Sequence, residues 1–137
     1  MEKFLENWHS RALALLRVIA GFLIFWHGTQ KLLGYPASEN VQEPPSGLIL
    51  LAGVLEFAGG AMLFIGLCTR WTGFVLSGTM AVAYFMVFIC KSFLPIVNHG
   101  ELTVLYCFVF LYLFFSGGGA WSVDGYLRSR NNKSLKQ

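Results

Sequence analysis

Six polar side chains give this sequence its clearest capacity for chemistry: His27, Gln30, Lys31, Glu56, His99 and Glu101. Three of them fall in FWHGTQKLLG, residues 25–34, at the end of a long apolar run, and Glu56 interrupts a second apolar run in GVLEFAGG. Histidine and glutamate exchange protons near neutral pH, while lysine and glutamine donate hydrogen bonds to a carbonyl oxygen. Trp26, beside His27, adds a flat aromatic wall. His27 and Glu56 are the candidate catalytic pair, acting as a proton relay. Trp26, His27, Gln30, Lys31, Glu56, His99 and Glu101 are the candidate ligand-binding set. All of this depends on what positions them.

The 137 residues are 55% hydrophobic and 12% charged, against roughly a quarter charged in an average soluble domain. A chain this poor in charge cannot cover its surface with polar groups, so its expected solvent is a bilayer. Apolar runs at about 13–33, 48–68, 72–90 and 101–118 are read as spans of ~20 residues, the last one short. Arg17 inside the first run, and the lack of a small-residue cleavage site after it, make that run a retained anchor instead of a signal peptide. The expected fold is all-α, a single integral membrane four-helix bundle.

Lys3, Arg11, Arg17, Arg70 and the tail 128–137 with Arg128, Arg130, Lys133 and Lys136 lie on one side of such a bundle. Lys31 and Lys91, with Glu39, Glu43 and Glu101, lie on the other. The positive-inside rule then gives an N-in/C-in topology in a bacterial cytoplasmic (inner) membrane. The net charge of +3 is spread around span ends, which excludes a nucleic-acid-binding face. The prolines Pro36, Pro44 and Pro45 make the connection from Gly34 to Gly47 an extracytoplasmic loop. Cys68, Cys90 and Cys107 have no metal-site spacing and are read as small apolar residues. No metal, flavin or iron–sulfur motif is present in the sequence.

At 100° per residue, Arg17, Gly21, Ile24, Gly28 and Lys31 share one stripe of the first span, with His27 on its flank. Gly53, Glu56 and Gly60 share a face of the second, where small residues admit a neighbouring helix. Exit near Leu33 and entry near Leu48 put Glu56 level with Phe25, about 3 Å along the axis from His27. His99 and Glu101 open the fourth span from the same outer side, so the expected site is a polar pocket in the extracytoplasmic half.

A charge at mid-span costs at least ~2.5 kcal/mol, which pairing of Glu56 with His27 or Lys31 would offset. Desolvation favouring the protonated carboxyl is the alternative. Helix-to-helix glue is the competing structural role for Glu56. Lys31 and Arg17 can also be read as cations that snorkel to the outer and cytoplasmic interfaces.

RVIAGFLIFWHGTQKLLG, GVLEFAGGAMLFIGLCTR, NHGE and GGGAWSVD, in that order, resemble the DoxX family of small four-span membrane proteins. The most specific parts are HGxxKxxG and GxxExxGGxxLxxGxxTR; SGGG replaces the family's usual Gly-Pro-Gly near the last block. The resemblance implies quinone-linked membrane redox chemistry, with quinone as the cofactor and electrons from a partner redox subunit. A ring of that kind suits Trp and Phe walls, with His27, Gln30 or Lys31 as donors to its carbonyls. A small proton-coupled transporter and a non-catalytic assembly subunit are the alternative functions; haem between His27 and His99 is a weaker one. Other expected partners are membrane lipid and a second copy of the chain, because four helices bury little alone.

Overall fold

The computed structural model describes residues 2–37 and 47–134, with side chains from Trp8 onward. Glu39, Glu43, Pro44, Pro45 and Lys136, and with them most of the expected outer loop, lie outside the described residues. The described chain is helical, in the order α1 Glu2–Leu33, α2 Leu48–Ile65, α3 Thr69–Ala83 running into a π-helical turn Tyr84–Phe88, α4 Pro95–Asn98, α5 Glu101–Ser116 and α6 Val123–Ser134. Three stretches are long and apolar enough to cross a membrane: Trp8–Leu33, Leu48–Ile65 and Thr69–Phe88. The fourth expected span is the shorter apolar helix α5, 16 residues long, or about 24 Å at 1.5 Å per residue. It stops at Ser116, not 118, because Gly117 leaves the helical region at φ 82° and the glycines after it offer no helical continuation.

Glycines set the packing. A Cβ on Gly28 would lie 2.3 Å from the Phe57 backbone nitrogen, one on Gly60 2.6 Å from that of Phe25, and one on Gly21 2.7 Å from that of Phe64. Such contact between backbones compensates in a membrane for the missing hydrophobic drive between helices. It makes α1 and α2 the tightest pair. α3 pairs with α5 in the same manner, Gly73 lying against the Phe110 carbonyl and the Ser77 hydroxyl donating to the Cys107 carbonyl at 2.9 Å. α2 joins the two pairs where Gly59 meets Leu76, and α1 barely touches α5. Ile24, Leu63, Leu76, Phe110 and Leu113 form the shared core. Large apolar side chains such as Ile19, Phe22, Val54, Phe85 and Phe108 point outward. Helices satisfy their own backbone groups and leave apolar side chains for lipid, which is the arrangement a bilayer permits.

The turn between α2 and α3 follows the glycine stop rule. Gly66 adopts the left-handed conformation, and the N–H groups of Gly66 and Leu67 return to the Leu63 and Met62 carbonyls.

Candidate functional site

Close approach of α1 and α2 brings the pair at the centre of the site together. Lys31 Nζ lies 2.5 Å from Glu56 Oε1. Glu56 is 1% exposed, the Lys31 side chain 34%. Among the described residues the second carboxylate oxygen, Glu56 Oε2, is buried without a hydrogen-bond partner. Pairing relieves the desolvation of a membrane carboxylate only in part, because both oxygens need partners when it is ionised.

The expected depth register is corrected. Gly28 lies against Phe57, Gly60 against Phe25 and Gly53 against Leu32, so Glu56 stands level with Thr29 instead of Phe25, one helical turn further along. Glycine contacts fix this register, not the apolar run ends from which the depth was inferred. Consequently Glu56 meets Lys31 and not His27. His27 is exposed, with its ring edge-on to the Tyr106 ring at 6.3 Å and 81°.

The other candidates divide. Trp26 joins an aromatic cluster through Phe25 at 5.9 Å and Tyr35 at 6.2 Å, and Phe25 packs on Phe57 at 4.8 Å. Gln30 Nε2 donates to the Pro36 carbonyl at 3.0 Å, fixing the exit of the chain from α1. His99, in left-handed conformation after α4, and Glu101, first in α5, are exposed. Neither has a hydrogen bond or ion pair among the described residues, so neither joins Lys31 and Glu56. The buried member of the NHGE block is Asn98, which donates to the Ser92 carbonyl at 2.7 Å and accepts from the Gly100 N–H at 2.7 Å. Tyr84, at the start of the π turn, donates to the Phe93 carbonyl at 2.9 Å beside it.

Some 14 residues down α1, a second polar cluster was legible only in pieces. Arg17 does not snorkel: it is 0% exposed. Its guanidinium donates to the Leu63 carbonyl at 2.8 Å, the Phe64 carbonyl at 3.2 Å and the Trp121 carbonyl at 3.1 Å. Positive charge at the C-terminal end of α2 is favoured by the helix dipole. Asp124 does the converse, accepting from the Cys68 and Thr69 N–H groups at 2.8 Å each where α3 begins. Arg70 Nη1 donates to the Phe114 and Phe115 carbonyls at the end of α5. A buried arginine four turns from the chain's first charges, and an Asp after a glycine run, were the available signals. Their partners are over 40 residues away, beyond helical periodicity.

A Haemophilus influenzae (strain ATCC 51907 / DSM 11121 / KW20 / Rd) protein named "Uncharacterized protein" is 41% identical over 125 residues, 88% of this chain and 93% of its own. A Bacillus subtilis (strain 168) protein named "Putative oxidoreductase CatD" is 28% identical over 116 residues, 82% of this chain and 84% of its own. No solved structure gives a significant match. The DoxX family model matches residues 12–89, more than half of the chain, and takes in most of α1 with all of α2 and α3. On that match, and with the glycine, lysine and glutamate positions of both motifs meeting at one helix crossing, the chain belongs to the DoxX family of small membrane proteins.

Proposed function

We propose that this protein is a quinone-interacting subunit of a membrane redox complex, a four-span bundle with both termini in the cytoplasm of a bacterium and its polar pocket in the extracytoplasmic half of the inner membrane. The observation that carries the reading is the half-satisfied carboxylate: Glu56 is buried, one oxygen on Lys31 and the other without a partner among the described residues. A purely structural ion pair gains nothing from an orphaned oxygen, whereas a site that holds a proton or a ligand group needs one. The name of the Bacillus subtilis relative, an oxidoreductase, supports the redox class.

The residues present fit such a ring. Lys31 uses one ammonium hydrogen on Glu56 and has two more for a carbonyl oxygen. Trp26, Phe25 and Phe57, in contact with one another on the same two helices, supply apolar faces. A quinone, when bound, takes up two electrons and two protons. The electrons come from a partner subunit, since this chain carries no electron-transfer motif. Glu56 Oε2 is the atom placed to hold a proton in the dry interior, and Lys31, one-third exposed, connects it toward the open side. His27, exposed beside Tyr106, is a second proton carrier on the flank of α1.

The test is quinone content after purification in mild detergent and solvent extraction. Stoichiometric quinone in the wild type, lost from folded Glu56→Gln and reduced in His27→Ala, is the expected result. A well-folded wild type that holds no quinone even after quinone is added back removes the redox reading in favour of transport or assembly.

A further inference from the structure

At the Arg17 end of the bundle, away from the Lys31–Glu56 site, a groove of about 460 Å³ opens between the start of α3, the 116–119 run and α6. That volume lies within the ~300–1,000 Å³ usual for ligand sites. Arg70 and Arg128 line it, together with Trp71, Gly117, Gly118 and Ser122. Arg70 is held in place by the carbonyls that end α5, and its remaining nitrogens Nε and Nη2 lie beside Gly117, where a Cβ would approach to 3.6 Å. Arg128 is exposed and has no hydrogen bond or ion pair among the described residues. The acidic lining residue, Asp124, accepts from the Cys68 and Thr69 N–H groups, and among the described residues it forms no ion pair with either guanidinium group.

A further observation points to the kind of ligand. Trp71, in the lining, is 72% exposed, and Trp121, next in sequence to the lining residue Ser122, is 70% exposed. Rings with an apolar body and a polar tip concentrate at headgroup level. Below the groove Phe74 and Phe115 face outward from α3 and α5, an apolar surface for an acyl chain.

We propose that this groove binds the phosphate of a negatively charged phospholipid, with Arg70 and Arg128 as its donors. Guanidinium groups match phosphate oxygens in paired, charge-assisted hydrogen bonds. The exposed tryptophans and the apolar surface beneath select a lipid over a soluble oxyanion. α6 buries no side chain and carries Arg128, Arg130 and Lys133, so a lipid bridging Arg128 to Arg70 ties this helix to the membrane end of the bundle.

Native mass spectrometry of the full chain, titrated with phosphatidylglycerol or with phosphatidylcholine of the same acyl chains, tests the site; inorganic phosphate is the third titrant. Phosphatidylglycerol is expected to bind about fivefold more tightly than phosphatidylcholine for one groove arginine's share of the attraction. Arg128→Gln, which breaks no bond within the fold, removes that preference, and Arg130→Gln, outside the groove, retains it. Arg70→Gln lowers it too, although it also frees the end of α5, so Arg128→Gln decides. Equal affinity for the two lipids, or a preference unchanged in Arg128→Gln, overturns the proposal. Displacement of phosphatidylglycerol by an equal concentration of inorganic phosphate overturns the lipid assignment and gives the groove to a soluble oxyanion.

Discussion

Arg17 and Glu56 are both shielded from solvent, at 0% and 1% exposure, but Arg17 reaches three backbone carbonyls while Glu56 has one partner for two oxygens. Arg17 holds the end of α2 to the turn after α5, using donors that no ligand needs to replace; among its nitrogens only Nε is left over. Glu56 meets a lysine whose side chain is one-third exposed. The difference separates two uses of a buried charge. One has both terminal nitrogens bound to backbone carbonyls and serves the fold. The other has an oxygen without a partner among the described residues, beside a lysine that is partly exposed.

The comparison breaks most visibly if Arg17 proves dispensable. Arg17→Ala strips charge-assisted bonds from three carbonyls and leaves a void, a loss on the order of 3–5 kcal/mol. Thermal unfolding in detergent should show little folded protein, and an unfolding curve like that of the wild type would contradict the structural role. Next in size is the glycine crossing that brings Lys31 to Glu56. Gly28→Ala drives a Cβ into the Phe57 backbone and should cost about 1–3 kcal/mol, as overpacking does. Gly78→Ala, where a Cβ meets nothing within 4 Å, should be neutral or stabilise α3 by up to about 1 kcal/mol. Equal effects at the two glycines would mean that the α1–α2 contact is not tight. Asp124→Ala removes the carboxylate from two N–H groups at the start of α3 and should cost about 1 kcal/mol, like other helix caps. Glu56→Gln is expected to cost less than about 1 kcal/mol, because the amide keeps an oxygen for Lys31 and the lysine left without its counter-charge is partly exposed. A severe loss of folding there would assign Glu56 to the scaffold beside Arg17.

Much of the α1–α2 pair was legible in the sequence. Long apolar runs marked both helices, and Gly53, Glu56 and Gly60 on one face indicated a close neighbour. Depth was not legible, since run ends are set by solvent and glycine contacts by shape; of the two partners expected for Glu56, His27 and Lys31, the register one turn further along selects Lys31. His99 and Glu101 were placed in the site by their side of the membrane alone, and a short α4 ending in a left-handed His99 leaves both on the surface. Arg17 looked like a snorkelling cation because a long basic side chain near the end of an apolar run usually reaches water. Its burial depends on carbonyls from residues 63, 64 and 121, contacts that no local pattern contains. The helical stop at Ser116 was visible in the glycine run, but the ~20 residues a span needs drew the expected boundary on into the glycines.

Equilibrium titration of a short-chain quinone into the purified chain, with wild type and Glu56→Gln compared at matched folded fraction, decides whether the second oxygen of Glu56 serves a ligand. Saturable binding to the wild type, weakened at least about tenfold in Glu56→Gln, is the expected result, the effect of losing ~1.4 kcal/mol of interaction. Binding of equal strength in the two proteins, or none in a folded wild type, would rule that role out.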